Sequence, residues 1–271
     1  MLLDFSSSEL RQVALACLAE PDATIKANMV RQLASDWQHT KVRLDAEQVL
    51  TASMPIPGRP AKPDLVAPKL LKRRAMTTPE GRAALIHALA HIEFNAINLA
   101  LDAVWRFKNM PEKFYADWLQ VADEEAYHFN LLHAHLQHLG FSYGDFDAHN
   151  SLWEMADKTK ESIIARIALV PRTMEARGLD ASPQLKSKLV QAGDALVGVI
   201  LDIILHDEIG HVSIGNYWFN WLCEQQGLEP MTTFAQLCQA YEAPKLKGPF
   251  NLDARRKAGF SDEELERLVT A

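Results

Sequence analysis

Apolar residues recur every three or four positions along most of the chain, which predicts a protein built from helices. No segment shows a sustained alternation of apolar and polar residues, so we expect no β-sheet. The first helix is predicted to run from a serine cap at 6–8 to about Ala19, and the second from Ala23 to Gln38. Residues 52 to 68 are dense in proline, which predicts an extended arm on the surface.

Four longer apolar stripes follow the arm, and each predicts a helix. The third is less regular, because Pro171 must kink it and the segment 178–183 interrupts it. A short helix and a terminal helix capped by Ser261 and Glu264 end the chain. The four long helices are expected at 78–107, at 111–140, from about 150 with resumption near 184, and at 195–226. We therefore predict an all-α protein with a four-helix bundle at 78–227, preceded by N-terminal helices and the arm packed on it (1–77) and followed by a C-terminal helical extension (228–271).

Charged residues interrupt these apolar stripes at a few positions. Glu93 lies in the middle of the first stripe, and Glu125 and His128 lie together in the second. Glu208 and His211 lie in the fourth, which is the most apolar of all. Residues three apart on a helix share a face, so each Glu-x-x-His motif places a carboxylate and an imidazole side by side. A buried charge without a partner is very costly, and a metal ion is one partner that suits both groups.

The third helix offers two carboxylates, Glu161 and Glu175, and the spacing alone leaves both open. In an antiparallel hairpin, residues at the same depth lie equally far from the turn. The separation of Glu175 from Glu208 matches that of Glu93 from Glu125 to within one residue. Glu161 would instead place the turn near Pro183, which is the stronger turn signal. We give the matching separation more weight and prefer Glu175.

Together these side chains predict a dinuclear metal site. Two carboxylates and two Glu-x-x-His motifs on four helices are the ligand set of carboxylate-bridged metal pairs. Carboxylate and imidazole ligands with open positions suit iron, with manganese as an alternative and zinc less favoured. The expected ligands are Glu93, Glu125, His128, Glu175, Glu208 and His211.

The chain resembles the ferritin-like di-iron carboxylate superfamily, and more narrowly a widespread bacterial ferritin-like family of unknown function. It is also similar, distantly and in fold and ligands only, to the tRNA-modifying hydroxylase that acts on an isopentenylated adenosine. The resemblance implies a ferritin-like bundle and supports Glu175 over Glu161. The stretches that carry it are residues 91–93, 123–128, 170–180, 207–212, 247–251 and 254–255.

The resemblance also implies an oxygen-activating oxidoreductase of hydroxylase or mono-oxygenase type that holds two iron ions. The alternatives are iron handling or peroxide detoxification, and a metal-stabilised helical protein without catalysis. Expected partners are a small-molecule substrate or an electron donor, with a homodimer left open. A tRNA substrate is a weaker alternative, since it would require a basic face around the cluster Lys69–Arg74, Arg172 and Arg177.

Amino-acid composition indicates the expected location of the protein and which partners it is not expected to bind. The net charge of −7 argues against general binding to nucleic acids. The three cysteines are scattered and form no CxxC motif, which is typical of a reducing compartment. The first residues lack the basic and apolar regions of a signal peptide, and no long uncharged apolar run is present. We therefore expect a cytoplasmic protein without a membrane partner.

Overall fold

A computed structural model describes residues 4–270 and confirms the all-α prediction. Over that range the chain forms helices and loops, with two isolated β-bridges and no β-strand. The helices are α1 (Leu10–Ala19), α2 (Ala23–Gln38), α3 (Pro79–Arg106), α4 (Glu112–His138), α5 (Ser151–Lys158), α6 (Ile163–Leu169), α7 (Ala176–Gln191), α8 (Ala195–Gln226), α9 (Pro230–Ala240), α10 (Leu252–Lys257) and α11 (Asp262–Thr270).

The chain divides into two compact units, the first ending at Ser151 and the second beginning at Leu152. In the first unit, α3 and α4 form a helical hairpin, with α1 packed on α3 and α2 packed on α4. The hairpin turns at Asn109, which has a φ of 61° and lies in the break predicted between 107 and 111. Pro79 opens α3 after the cap residue Thr78, whose side chain accepts a hydrogen bond from the Gly81 amide.

The start of α1 differs from the prediction of a serine cap. Helix α1 begins at Leu10, and the side chain of Glu9 accepts hydrogen bonds from the amides of Arg11 and Gln12. A carboxylate is favoured there because it satisfies two free amides and complements the positive end of the helix dipole. Ser7 lies outside the helix with a positive φ of 65°.

Residues 39 to 78, which we call the connecting segment, link α2 to α3 and include the proline-rich arm. Apart from one short turn of 3₁₀ helix at Pro68–Leu70, the segment is irregular. At Gly58 it passes so close to α1 that a Cβ atom there would lie 2.1 Å from the Ala19 carbonyl oxygen. Only glycine fits this position, and the arm is therefore partly buried rather than wholly on the surface.

Two buried cations hold the connecting segment. Arg11 Nη1 donates to the carbonyls of Asp45, Ala46 and Gln48, and its Nη2 donates to that of Trp105. Lys26 Nζ lies within hydrogen-bond distance of three acceptors, and burial lowers its pKa to about 7. An ammonium group has a hydrogen for each of three acceptors, so this environment suits its charged form. The acceptors are Leu18 O (3.1 Å), Gly58 O (2.8 Å) and Asn98 Oδ1 (2.5 Å).

In the second unit, α6 and α7 are joined by a wide π-helical turn, Val170–Glu175, which contains Pro171. The sequence predicts a kink at Pro171, and the π-helical turn is the form that it takes. Pro171 packs against α8 at Gly215, where a Cβ atom would lie 2.8 Å from the proline Cβ. Gly215 therefore allows the close approach of the turn to α8.

The predicted interruption at 178–183 is wrong, because α7 continues through Pro183 to Gln191. Proline cannot donate to the carbonyl of Leu179 one turn earlier. Asn251 Nδ2 donates to that carbonyl instead, at 3.2 Å. The chain turns only at Gly193, with a φ of 95°, and Asp194 then caps α8. Helices α7 and α8 pack together as a second helical hairpin.

Arg172, in the π-helical turn, fastens the C-terminal helices. Its guanidinium is buried, donates to Asn216 Oδ1 at 2.7 Å and pairs with Glu264 of α11. Three phenylalanine rings surround it at 4.5 to 5.2 Å: Phe219, Phe234 and Phe260. Glu264 also completes the predicted capping box with Ser261.

Helix α3 is long and apolar enough to cross a membrane, but 78% of its most apolar stretch is buried inside the protein. The core helix of a globular unit passes the same test of length and composition. The absence of a membrane partner and the cytoplasmic location therefore stay predictions.

Candidate metal centre

The first unit brings Glu93, Glu125 and His128 together. Glu93 projects from α3, and the other two residues project from α4 one helical turn apart. Nδ1 of His128 lies 3.3 Å from Oε2 of Glu93 and 3.5 Å from Oε2 of Glu125. One donor atom from each residue falls within 4.8 Å of the others, and all three side chains are buried. These three residues could hold a metal ion.

Electrostatics favours a cation at this cluster. Burial raises the pKa of Glu93 well above its usual range, and the nearby Glu125 carboxylate raises it further. His128 acts in the opposite direction and lowers the pKa of Glu93. Two carboxylates cannot easily both ionise in a dry interior. A divalent cation would remove this penalty, because it binds both carboxylates in their charged form and His128 in its neutral form.

The surroundings of the cluster are apolar. Phe94 follows Glu93 on α3, and Phe129 follows His128 on α4, with ring centroids 6.0 Å apart. Both rings are almost fully buried, as is Ile97 one turn further along α3. The same helix faces bury these apolar residues and the candidate ligands, so water has little access to the ligands.

The second unit repeats the Glu-x-x-His arrangement on α8. Glu208 and His211 are both buried, and His211 Nδ1 lies 3.8 Å from Glu208 Oε2. In both copies Nδ1 of the histidine faces the carboxylate one turn earlier. The repeated sequence motif thus gives the same local geometry twice. Glu208 also offers a buried carboxylate oxygen that could bind a metal ion.

The two alternatives for the third carboxylate lie in different surroundings. Glu175 ends the π-helical turn, is half-buried and has a buried Oε2 atom. Glu161 lies in the exposed turn between α5 and α6 and is not on a helix. The chain also turns at Gly193 and not near Pro183, where Glu161 would place the turn. These surroundings favour Glu175, although its role as a ligand stays a prediction.

Two further carboxylates, Asp102 on α3 and Asp202 on α8, have different neighbours. Asp102 is buried and accepts hydrogen bonds from Trp105 and Arg106. Asp202 is exposed and pairs with Lys186, so it faces away from the buried stripe of α8.

A buried polar network lies beside Glu93, and no pattern in the sequence predicts it. His91 Nδ1 lies 2.8 Å from the hydroxyl of Tyr143, and His87 Nε2 accepts from the Gly144 amide. Burial lowers the pKa of both histidines to about 4. Their spacing of one helical turn on α3 is visible in the sequence, but Tyr143 comes from a loop beyond α4. Both histidines are thus packed residues held by this loop.

Comparison with known proteins identifies the family of this chain but assigns it no activity. A family model described as "Protein of unknown function (DUF455)" matches residues 19–266. A protein of Haemophilus influenzae named "Uncharacterized protein" is 53% identical over 214 residues, covering 76% of this chain and 74% of that protein. No solved structure matches the chain. Any function must therefore be argued from the chemistry of the buried side chains.

Proposed function

We propose that this chain, which belongs to the DUF455 family of proteins of unknown function, is a ferritin-like protein with a dinuclear metal centre that activates dioxygen. The observation that carries the proposal is the buried cluster of Glu93, Glu125 and His128, with its raised Glu93 pKa. Carboxylates are rarely buried together unless a metal ion or a hydrogen-bonded proton compensates them.

The repeat of the motif on α8 supports a pair of metal ions rather than one. In ferritin-like carboxylate proteins, two Glu-x-x-His motifs and two further carboxylates hold two ions. We propose that Glu93, Glu125 and His128 supply one half of such a set. Glu175, Glu208 and His211 then supply the other half, and the four helices that carry the ligands form the bundle.

Iron is the metal that this ligand set suits best, with manganese as an alternative and zinc less favoured. A metal ion bound by these carboxylates and imidazoles keeps open coordination positions, whereas a structural zinc ion has all four positions filled by protein ligands. A bound pair of ferrous ions would supply two electrons for the reduction of dioxygen. The chain itself holds the ligands, orients each histidine with Nδ1 toward its carboxylate, and keeps water out with the apolar faces of α3, α4 and α8.

Anaerobic loading with ferrous iron, followed by exposure to oxygen, tests the proposal. We expect about two irons per chain and the Mössbauer signature of a coupled diferric pair. The motif provides matched controls, since Glu124 and Asp207 directly precede the proposed ligands Glu125 and Glu208. Glu125→Gln and Glu208→Gln should each lower the iron content, whereas Glu124→Gln and Asp207→Asn should not.

Full iron content in both ligand variants would refute the metal centre. Glu175→Gln and Glu161→Gln, measured in the same way, distinguish the two carboxylates for the third helix. Only the Glu175 variant is expected to lose iron.

A second set of measurements tests which reaction the metal centre carries out. Rapid oxygen consumption by the reduced protein with an external electron donor supports an oxidoreductase of the hydroxylase or mono-oxygenase type. Rapid reaction with hydrogen peroxide but not with oxygen would favour peroxide detoxification or iron handling. Thermal stabilisation by iron with neither reaction would favour a structural metal site.

A further inference from the structure

The second unit contains a surface cavity of about 290 Å³ between α7 and the segment before α10. It lies outside the metal-ligand candidates and is unused by the proposed function. Helix α7 contributes one wall, and residues 245–250 contribute the other. The cavity is slightly smaller than typical ligand sites, which range from about 300 to 1,000 Å³. It therefore suits a small molecule rather than a peptide or a folded partner.

Three cations line this cavity without being used by the fold. The side chains of Arg177, Lys245 and Lys247 make no hydrogen bond or ion pair with the other residues that the structure describes. All three are exposed, so an entering ligand can reach them. Two of them come from one short stretch and the third from a helix distant in sequence, and the fold brings them to one concavity.

One acidic residue, Asp180, lines the cavity, but its charge is already neutralised. The buried Arg255 donates to both of its carboxylate oxygens, with Nε 3.0 Å from Oδ1 and Nη2 2.6 Å from Oδ2. The backbone amide of Asn251 donates to Oδ1 as well, at 2.9 Å. A carboxylate bound on both oxygens offers little to a cationic ligand. The cavity therefore presents a net positive surface inside a chain whose total charge is −7.

The remaining wall is apolar. Phe250, Pro249 and Leu246 line the cavity next to the lysines. Phe250 is half-buried, and the guanidinium of Arg255 lies 5.6 Å from its ring centroid. A ligand here would meet cations and an aromatic surface together.

We propose that this cavity binds a small phosphate monoester with a flat or apolar body. A phosphate group carries close to two negative charges at neutral pH and three acceptor oxygens, which match three unpaired cations. The planar guanidinium of Arg177 can bind two of these oxygens at once, and the lysines add point charges. The body of the ligand packs on Phe250.

Calorimetric titration with phenyl phosphate, inorganic phosphate and phenol tests this site. We expect phenyl phosphate to bind most tightly, inorganic phosphate more weakly and phenol not measurably. The triple variant Arg177→Gln/Lys245→Gln/Lys247→Gln should lose about tenfold or more in affinity for phenyl phosphate, since it removes the charged donors. Phe250→Leu should weaken phenyl phosphate and leave inorganic phosphate unchanged.

A matched variant removes the same charge elsewhere. Lys108, Lys188 and Lys257 are exposed, and their side chains also make no hydrogen bond or ion pair with the described residues. Their triple replacement by glutamine should change affinity less than about twofold, because none of the three lines the cavity and charges in solvent are screened by salt. Circular dichroism of both triple variants tests whether the fold is kept.

Three outcomes would overturn the proposal. The first is no saturable binding of phenyl phosphate up to about 10 mM. The second is an equal loss of affinity in the two triple variants, which would mean a diffuse charge effect. The third is that a short RNA binds through Arg177, Lys245 and Lys247 while phenyl phosphate does not, which would make the cavity part of a nucleic-acid surface.

Discussion

Gly215 allows the π-helical turn at Pro171 to pack closely against α8. Replacing Gly215 by alanine measures how much free energy of unfolding depends on this close contact. The added Cβ would lie 2.8 Å from Pro171 Cβ and 3.0 Å from its Cγ. Because the proline ring is rigid, the overlap can be relieved only by moving α8 or the π-helical turn. Overpacking of this kind costs about 1–3 kcal/mol. Alanine gains about 1 kcal/mol over glycine in a helix, so the expected net loss is about 1 kcal/mol.

Gly210 provides the control in the same helix. Apart from its chain neighbours and the adjacent backbone of its own helix, no described atom lies within 4 Å of a Cβ placed there, so Gly210→Ala should gain only the helix propensity of about 1 kcal/mol. Urea unfolding followed by circular dichroism measures both changes as shifts of the midpoint. We expect the two variants to differ by about 2 kcal/mol with opposite signs. Equal stabilisation of both variants would show that the turn and α8 are not in tight contact.

Three further predictions concern buried charges. Because the pKa of Glu93 is raised from 4.5, its contribution to stability is fully present below that value and is lost as pH rises through the folded pKa. Urea unfolding of the metal-free protein at several pH values should show this loss, and a Glu93→Gln variant with the same dependence would contradict it. Lys26→Met should cost about 3 kcal/mol or more, since three buried acceptors lose their donor. The exposed Lys188→Met should be close to neutral, and equal thermal stability of the two would disprove the argument. Arg172→Met should cost about 3 kcal/mol, because Glu264 loses its ionic partner and the buried Asn216 oxygen loses its donor. The double variant with Glu264→Met should recover part of that loss, and strict additivity in a thermal double-mutant cycle would refute the coupling.

The helices and the first half of the candidate site could be predicted from local sequence. Helical periodicity fixes which residues face the core, and Glu93, Glu125 and His128 lie on the predicted stripes. Capping residues such as Thr78 act within one turn, so the start of α3 was predictable too. Glu208 and His211 follow the same rule, because the motif that buries one copy also buries the other.

The error at 178–183 and the missed contact of His91 arise where a distant residue changes the local preference. Pro183 would break an isolated helix, but Asn251, far along the chain, satisfies the carbonyl that proline leaves free. The buried contact of His91 with Tyr143 likewise joins a helix to a remote loop. Periodicity and propensity describe neighbours within a few residues and carry no information about such contacts. For the same reason, the sequence does not show which surface cations share the cavity beside α7.

The buried Arg11 and Lys26 affect how freely the sequence of the connecting segment can vary. They bind main-chain carbonyls of the connecting segment, and these carbonyls are present whatever side chains the segment carries. The path of the segment is therefore encoded largely in α1 and α2. Side chains of the segment are free to drift in evolution wherever they do not pack. A change at Gly58, or at either cation, would alter the path of many residues at once.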